Sequence, residues 1–196
     1  NRRVQGVEYQ NGWELNNIHK LIAGMEFHNY KDTAVNGGYY DKKTHNMTVY
    51  VQDTMSLNDK WTLIPGLRFD HYNTFGSHWS PKFAANYRAD DKTKIYASWG
   101  HTYRAPEASE LYYNDPYMGY GNENLRPETG HTETIGFEHD FNENSAVQLN
   151  FFNTKISKAI AWDNSADIEV GYVKNLGSEK RRGVELSFNQ KIDFSR

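Results

Sequence analysis

The feature of this sequence that most constrains its fold is a two-residue alternation of side chains along segments of about ten residues. Residues 61–70 show the alternation best. One face carries Trp61, Leu63, Pro65, Leu67 and Phe69, and the other carries Thr62, Ile64, Gly66, Arg68 and Asp70. A period of two predicts a β-strand, and about ten residues are enough for a tilted strand to cross a bilayer. The backbone nitrogen of Pro65 cannot donate a hydrogen bond, so we expect a local bulge or an unpaired amide there.

Comparable alternation recurs along the whole chain. It is found at residues 3–9, 20–30, 47–52, 61–70, 81–88, 95–103, 132–141, 147–161 and 184–189. We expect the first of these segments to end at Asn11-Gly12. No segment shows a competing helical period. The sequence therefore predicts an all-β protein with roughly nine antiparallel strands.

The connections between these segments alternate in length. Three are short and polar, at residues 58–59, 90–92 and 142–144, and a further short loop surrounds Gly76. Longer, aromatic loops are expected at residues 32–45 and 163–177. The longest loop opens at Arg104-Ala105-Pro106 and closes at Leu125-Arg126-Pro127-Glu128. Short turns at one rim and long loops at the other are typical of outer-membrane β-barrels.

Composition agrees with a barrel although the mean hydropathy is only −0.88. A transmembrane barrel has a polar interior, so each strand averages out as hydrophilic. The chain is 15% aromatic, which suits the aromatic girdles of such barrels. Cysteine is absent, which excludes a disulfide framework and a thiolate metal site. A net charge of −3 and the lack of a basic stripe argue against a nucleic-acid partner.

The two ends of the sequence favour a fragment. The chain begins at Asn1 without a secretory leader, and residues 191–196 still read as a strand. We therefore expect residues 1–196 to form one part of a transmembrane barrel.

Short motifs along nearly the whole chain, weak singly but specific in order and spacing, resemble the barrel of TonB-dependent outer-membrane receptors. They are Val49-Tyr50-Val51-Gln52-Asp53, Pro65-Gly66-Leu67-Arg68-Phe69-Asp70, Ser80-Pro81-Lys82-Phe83, Tyr96-Ala97-Ser98-Trp99-Gly100, Tyr103-Arg104-Ala105-Pro106, Glu110-Leu111-Tyr112, Asn122-Glu123-Asn124-Leu125-Arg126-Pro127-Glu128-Thr129, Asn175-Leu176-Gly177 and Gly183-Val184-Glu185. The resemblance implies a barrel of about 22 strands in the bacterial outer membrane, in contact with its lipid. It also implies a plug domain and further strands beyond these residues, and energy from the TonB inner-membrane complex acting on that plug.

The resemblance implies import of a small iron chelate, with a ferric siderophore as the leading cargo. Tyr103-Arg104-Ala105-Pro106 followed by an Asn-x-Asn-Leu segment is similar to the paired boxes of haem receptors. Those receptors usually carry a histidine between the boxes, and none lies between Pro106 and Asn122. His101 and His131 flank the loop and stay as candidate haem ligands. Haem and vitamin B12 therefore remain alternative cargoes.

The longest loop carries the main candidates for ligand binding. Tyr112, Tyr113, Tyr117 and Tyr120 crowd it, and Tyr39-Tyr40 lie in the loop at 32–45. These tyrosines could form an aromatic wall that holds a siderophore by stacking and phenol hydrogen bonds. The same residues could equally pack within the loops or form an interfacial girdle.

Several charged side chains are expected on the interior face because they alternate with apolar residues. Arg104 could meet an anionic ferric complex, or it could pair with Glu107, Glu110 or a plug carboxylate. Arg68 and Asp70 share their face with Glu26 and Glu185, and we expect these four to hydrogen-bond with a plug rather than with cargo.

Other functional classes find little support in the residues. The histidines match no zinc motif, and neither a nucleophile elbow nor a phosphate-binding glycine loop is present. We expect no enzyme activity and no resident metal or cofactor. An outer-membrane enzyme and a soluble all-β binding module remain as weaker alternatives.

Overall fold

A computed structural model describes residues 1–34, 40–164 and 171–192 of the chain. Nine strands form one antiparallel sheet in the order β1-β2-β3-β4-β5-β6-β9-β10-β13. Their bounds are β1 Arg2–Glu14, β2 His19–Ala34, β3 Tyr40–Ser56, β4 Trp61–Tyr72, β5 Gly76–Arg88, β6 Thr93–Arg104, β9 Glu128–Asn142, β10 Ser145–Ser157 and β13 Ser178–Gln190. The expected all-β architecture and the strand number are confirmed, since each of the nine alternating segments contributes one strand to this sheet.

A second, smaller sheet is built from the two longest loops. It contains β7 (Asn114–Asp115), β8 (Gly119–Tyr120), β11 (Ile160–Asp163) and β12 (Tyr172–Asn175), in the order β11-β12-β8-β7. A five-residue helix, α1 (Ala108–Tyr112), precedes β7. No helix among the described residues is long and apolar enough to span a membrane.

Four expectations about element boundaries were wrong. The expected loop at 32–45 is largely strand, because β2 continues to Ala34 and β3 begins at Tyr40; Tyr39 and the Gly37-Gly38 pair lie outside the described residues. The first strand passes through Asn11-Gly12, because each of its residues from Arg2 to Glu14 pairs with β2. The expected loop at 163–177 contains β12.

The fourth error concerns the segment expected to run from Val147 to Ala161. It breaks after Ser157 because Lys158 has a φ of 58°, a left-handed conformation that a β-strand does not contain. Ile160 then begins β11 in the small sheet rather than extending β10. Lysine adopts this conformation only rarely, so the residue type at this position gave no sign of the break.

Register across the large sheet separates two faces. Met25, Val49, Phe69 and Trp79 are successive cross-strand partners, and the rings of Phe69 and Trp79 lie 4.7 Å apart. We call the surface that contains this row the apolar face. Its side chains are exposed along the sheet, as the 55% exposure of Met25 and the 61% exposure of Val184 show. Exposed apolar area on this scale requires a nonaqueous neighbour.

The opposite surface, the polar face, holds a network of charged and hydroxyl side chains. Arg68 bonds to Asp70 at 3.0 Å, to Thr48 at 3.1 Å and to Glu26 at 3.3 Å, and Thr48 and Asp70 are buried. Glu185 lies on this face as the partner of Asn150, whose side chain accepts a hydrogen bond from Tyr96 at 2.5 Å. Arg68 and its neighbours therefore satisfy one another within the wall of the sheet.

Pro65 interrupts one ladder of hydrogen bonds without shifting the strands. Pairing of β3 with β4 runs to Gln52 and Gly66 and resumes at Met55 and Leu63 in the same register. On the other side of β4, Pro65 stays paired with Phe83 of β5. The missing N–H therefore faces β3, which is the unpaired-amide alternative rather than a bulge.

The described strands leave β1 and β13 as unpaired edges of the large sheet. An open edge in hydrocarbon leaves backbone N–H and C=O groups without partners, at a cost of several kcal/mol each. We expect residues 1–196, expressed alone and refolded in detergent, to give no heat-resistant, compact species on gel electrophoresis. The full-length protein refolded in parallel serves as the control, and a heat-resistant band from residues 1–196 alone would contradict the expectation.

Candidate functional site

The candidate site is the end of the molecule where the two longest loops meet. β8 pairs in parallel with β12 at Tyr120 and Tyr172, so the loop after β6 and the loop after β10 share one small sheet. Leu111, Leu125 and Val173 form a buried core beneath it. Phe75, Tyr112 and Ile160 pack against that core. The loops are therefore a folded unit with its own apolar interior.

Arg104 ties this unit to the end of the large sheet. Its Nε donates to Glu128 at 2.9 Å and its Nη1 donates to Glu110 at 3.0 Å. Glu128 also accepts a hydrogen bond from the backbone N–H of Ile160 at 2.6 Å. Hydrogen bonds from Arg104 lower the pKa of Glu128 below its usual value, and the bond to Glu128 raises the pKa of Arg104. Arg104 was expected either to meet an anionic ferric complex or to pair with a carboxylate. In the structure it forms ion pairs with Glu110 and Glu128.

Asparagine side chains hold the loops in the way that backbone groups would. Asn175 accepts from the N–H of Arg126 at 2.8 Å and donates to the carbonyls of Arg126 at 2.8 Å and Lys158 at 2.7 Å. Asn122 accepts from the N–H of Asn124 at 2.9 Å. The Asn-x-Asn-Leu and Asn-Leu-Gly motifs are therefore explained by loop architecture.

The candidate tyrosines fall into two groups rather than one wall. Tyr112 is half-buried, with its ring 6.1 Å from that of Tyr40 and the Nζ of Lys42 lying 4.1 Å above it. Tyr113 packs edge-on against Trp162, with ring centroids 5.8 Å apart. These tyrosines hold the loops to β3 and to β11.

The second group points to solvent from the β7–β8 hairpin. Tyr117 is 91% exposed, and Met118 and Tyr120 beside it are also exposed. Asp115 fixes the turn, because its carboxylate accepts the N–H groups of Tyr117 at 2.9 Å and Met118 at 3.0 Å. The hairpin therefore presents aromatic and thioether surface on a defined backbone.

The structure places His101 and His131 directly opposite each other on β6 and β9. Their side chains have different partners: His101 lies 3.3 Å from His78, and His131 lies 3.9 Å from Glu133. No group of three or more metal-ligating side chains occurs in the described part of the chain.

Sequence reasoning missed two residues of this site, Lys42 and Trp162. Lys42 was missed because residues 32–45 were expected to form a loop. Lys42 in fact belongs to β3, and its Nζ lies over the ring of Tyr112. Trp162 lies between the expected strand at 147–161 and the expected loop at 163–177 and was assigned to neither. In the structure it faces Tyr113 and lies so close to Gly119 that a β-carbon at Gly119 would approach it to 2.5 Å. A tryptophan next to an expected loop was the available signal.

Comparison with known proteins gives a consistent family match. The profile of the TonB dependent receptor-like β-barrel family matches residues 1–195. The Vitamin B12 transporter BtuB of Photobacterium profundum is 26% identical over 92% of this chain and 29% of its own length. The ferrienterobactin receptor of Escherichia coli K12 is 28% identical over 49% of this chain and 15% of its own length.

Solved structures show the same fold. The siderophore receptor PirA from Pseudomonas aeruginosa superposes with a TM-score of 0.81 at 22% identity, over 94% of this chain and 36% of that structure. The chain thus spans only about three tenths of its curated relatives and about a third of a similar solved structure.

The Arg104 ion pairs yield a prediction about loop stability. We expect Arg104→Gln to destabilise the loop unit by about 1–2 kcal/mol, since Glu110 and Glu128, whose side chains are 21% and 16% exposed, lose their partner. Chymotrypsin should cleave the variant faster within residues 105–127 of the folded full-length protein. Arg88→Gln is the matched control, because Arg88 lies at the opposite, short-turn end of the sheet, where β5 ends. Equal cleavage of both variants would show that Arg104 does not hold the loops.

Proposed function

The chain belongs to the TonB-dependent receptor-like β-barrel family, and on that premise we propose that it is part of an outer-membrane receptor that imports a ferric siderophore. Residues 1–196 supply one stretch of the barrel wall. The coverage of the relatives supports a larger protein, in which a plug domain and further strands complete the barrel. The plug is the element through which the TonB complex would deliver energy.

The two faces of the large sheet fit this placement. The apolar face, with Met25, Val49 and Phe69, would contact membrane lipid, and the network around Arg68 would line the interior. A soluble binding module is disfavoured because such a module would carry polar side chains on its outer surface.

The observation that carries the proposed cargo is the surface of the folded loops. Tyr117, Met118 and Tyr120 are exposed beside the half-buried ring of Tyr112, over which Lys42 places a positive charge. Among the described residues, Lys42 has no carboxylate within ion-pair distance. Aromatic surface with an uncompensated cation suits an anionic, aromatic iron chelate. Arg104, by contrast, is occupied by Glu110 and Glu128 and serves the loop structure.

A second candidate cargo is vitamin B12. The BtuB relative aligns with 92% of this chain, whereas the ferrienterobactin receptor aligns with 49%. Haem ranks third: His101 and His131 lie opposite each other, but each has a different neighbour. We propose no catalysis and no resident cofactor; iron would pass through as cargo.

The three cargoes can be separated by a fluorescence titration of the full-length receptor. Trp162 lies against the loop tyrosines, so we expect a bound ferric siderophore to quench its emission saturably. Trp162→Phe should remove most of that quenching. Trp79→Phe, on the apolar face, is the matched control and should retain it.

A second test uses the difference in charge between the cargoes. Lys42→Gln should weaken an anionic ferric siderophore about tenfold, corresponding to about 1.4 kcal/mol, and should leave a neutral cobalamin unaffected. Saturable quenching by cobalamin or haem alone, with no response to any ferric siderophore tested, would overturn the proposed cargo.

A further inference from the structure

The strands β5 and β6 are paired along only part of their length. Their pairing runs toward the long loops as far as Lys82 and Gly100. The next residue of β5 in that direction is Pro81, whose nitrogen cannot donate a hydrogen bond. Beyond this point β5 still pairs with β4, and β6 still pairs with β9. Within the described strands, residues 76–81 and 101–104 therefore have no backbone pairing with each other, and we call this gap the seam.

Side chains bridge the seam in place of a backbone ladder. Nε2 of His78 on β5 lies 3.3 Å from Nδ1 of His101 on β6. The ring of Tyr103 stacks on that of His78, with the centroids 4.3 Å apart, and it lies 5.8 Å from the ring of Tyr72 on β4. All four rings are partly buried. The two imidazoles are therefore held next to each other by packing on both strands.

The spacing of the two imidazole nitrogens suits a metal ion. Divalent zinc, copper and nickel bind imidazole nitrogen at about 2.0–2.1 Å. Two such ligands lie about 3.3–3.4 Å apart at a tetrahedral angle and about 2.9 Å apart at a right angle. The 3.3 Å between Nε2 of His78 and Nδ1 of His101 falls in this range. Chelation then requires the rings to turn rather than the strands to move.

The charges around the histidine pair do not repel a cation. Asp70 is the cross-strand partner of His78, and its side chain is only 7% exposed. Arg68 holds that carboxylate at 3.0 Å and contacts Glu26 at 3.3 Å. Arg68, Glu26 and Lys82 line a cavity of about 490 Å³ that reaches the imidazole on β6. Two carboxylates and two cations therefore balance one another, and the cavity leaves room for water beside the pair.

We propose that His78 and His101 chelate a divalent ion of the later first-row transition metals and that this ion joins β5 to β6 across the seam. Imidazole nitrogen suits copper, nickel and zinc. Water would fill the remaining positions, since the described part of the chain contains no group of three metal-ligating side chains. The ion would exchange with solution rather than stay as a resident cofactor, and it would be separate from the cargo.

A Cu²⁺ titration of the full-length receptor in detergent, read by pulsed electron paramagnetic resonance, tests the site. No cargo is added, so the result does not depend on the proposed function. At one equivalent we expect the wild type to show modulation from two imidazoles on one Cu²⁺. His78→Gln and His101→Gln should each weaken binding by about tenfold or more, since one of two protein ligands is lost. His71→Gln is the matched control and should bind as the wild type does, because His71 contacts Ser77 at 2.9 Å instead of another histidine.

The site is overturned if the wild type shows no two-imidazole signal, or if both variants keep that signal at wild-type affinity. A heat-resistant band on gel electrophoresis checks that each variant is folded.

Hydrogen exchange of the wild type tests the joining of the strands without any variant. We expect Zn²⁺ to slow amide exchange at residues 77–80 and 101–103 and to leave residues 84–88 unchanged, because the latter are already paired with β6. Unchanged exchange in the seam at saturating Zn²⁺ would show that no ion joins β5 to β6 there.

Discussion

The structure depends on the pairing of backbone hydrogen bonds between neighbouring strands. Inside a membrane no water can satisfy an N–H or C=O group, so each strand must be paired along its length. Pairing in a fixed register then places every side chain on one side of the sheet or the other. A slip of β4 by one residue would move Arg68 and Asp70 into lipid and Leu67 and Phe69 into the interior. Pro65 removes one backbone N–H from the hydrogen bonds between β3 and β4, and the register of β4 with both neighbouring strands is unchanged.

The loops are held together differently, because outside the membrane side chains can form the hydrogen bonds that neighbouring strands form within it. Arg104, Glu128 and Asn175 bind backbone and carboxylate groups from separate loops and bring them over a small apolar core. Most conspicuous polar residues of the loop motifs are engaged in this way. Under the proposed function, recognition is left to the exposed surface of the β7–β8 hairpin and the cation at Lys42, so loop stability and cargo binding would reside in different residues.

Much of the fold could be predicted from the sequence, because a period of two is a local property of strands. The positions of Trp61, Arg68 and Glu185 on their respective faces followed from it directly. The strand ends could not be found in this way, since Lys158 ends β10 through its backbone conformation, which the residue type does not reveal. The candidate site was harder still to predict from the sequence. Contacts such as Tyr113 with Trp162 join residues 49 positions apart, and only the pairing of two loops brings them together.

In the proposed placement, one face of this sheet meets lipid and the other meets an aqueous interior. The chain contains no cysteine, so single spin labels can be placed along β4 of the full-length receptor in liposomes without background from these residues. Collision rates with oxygen, which concentrates in lipid, and with a water-soluble nickel chelate then report the environment of each position. We expect high oxygen collision rates at Leu63, Leu67 and Phe69 and high nickel collision rates at Thr62, Gly66 and Arg68. Rates that do not alternate, or that alternate in the opposite phase, would contradict this placement.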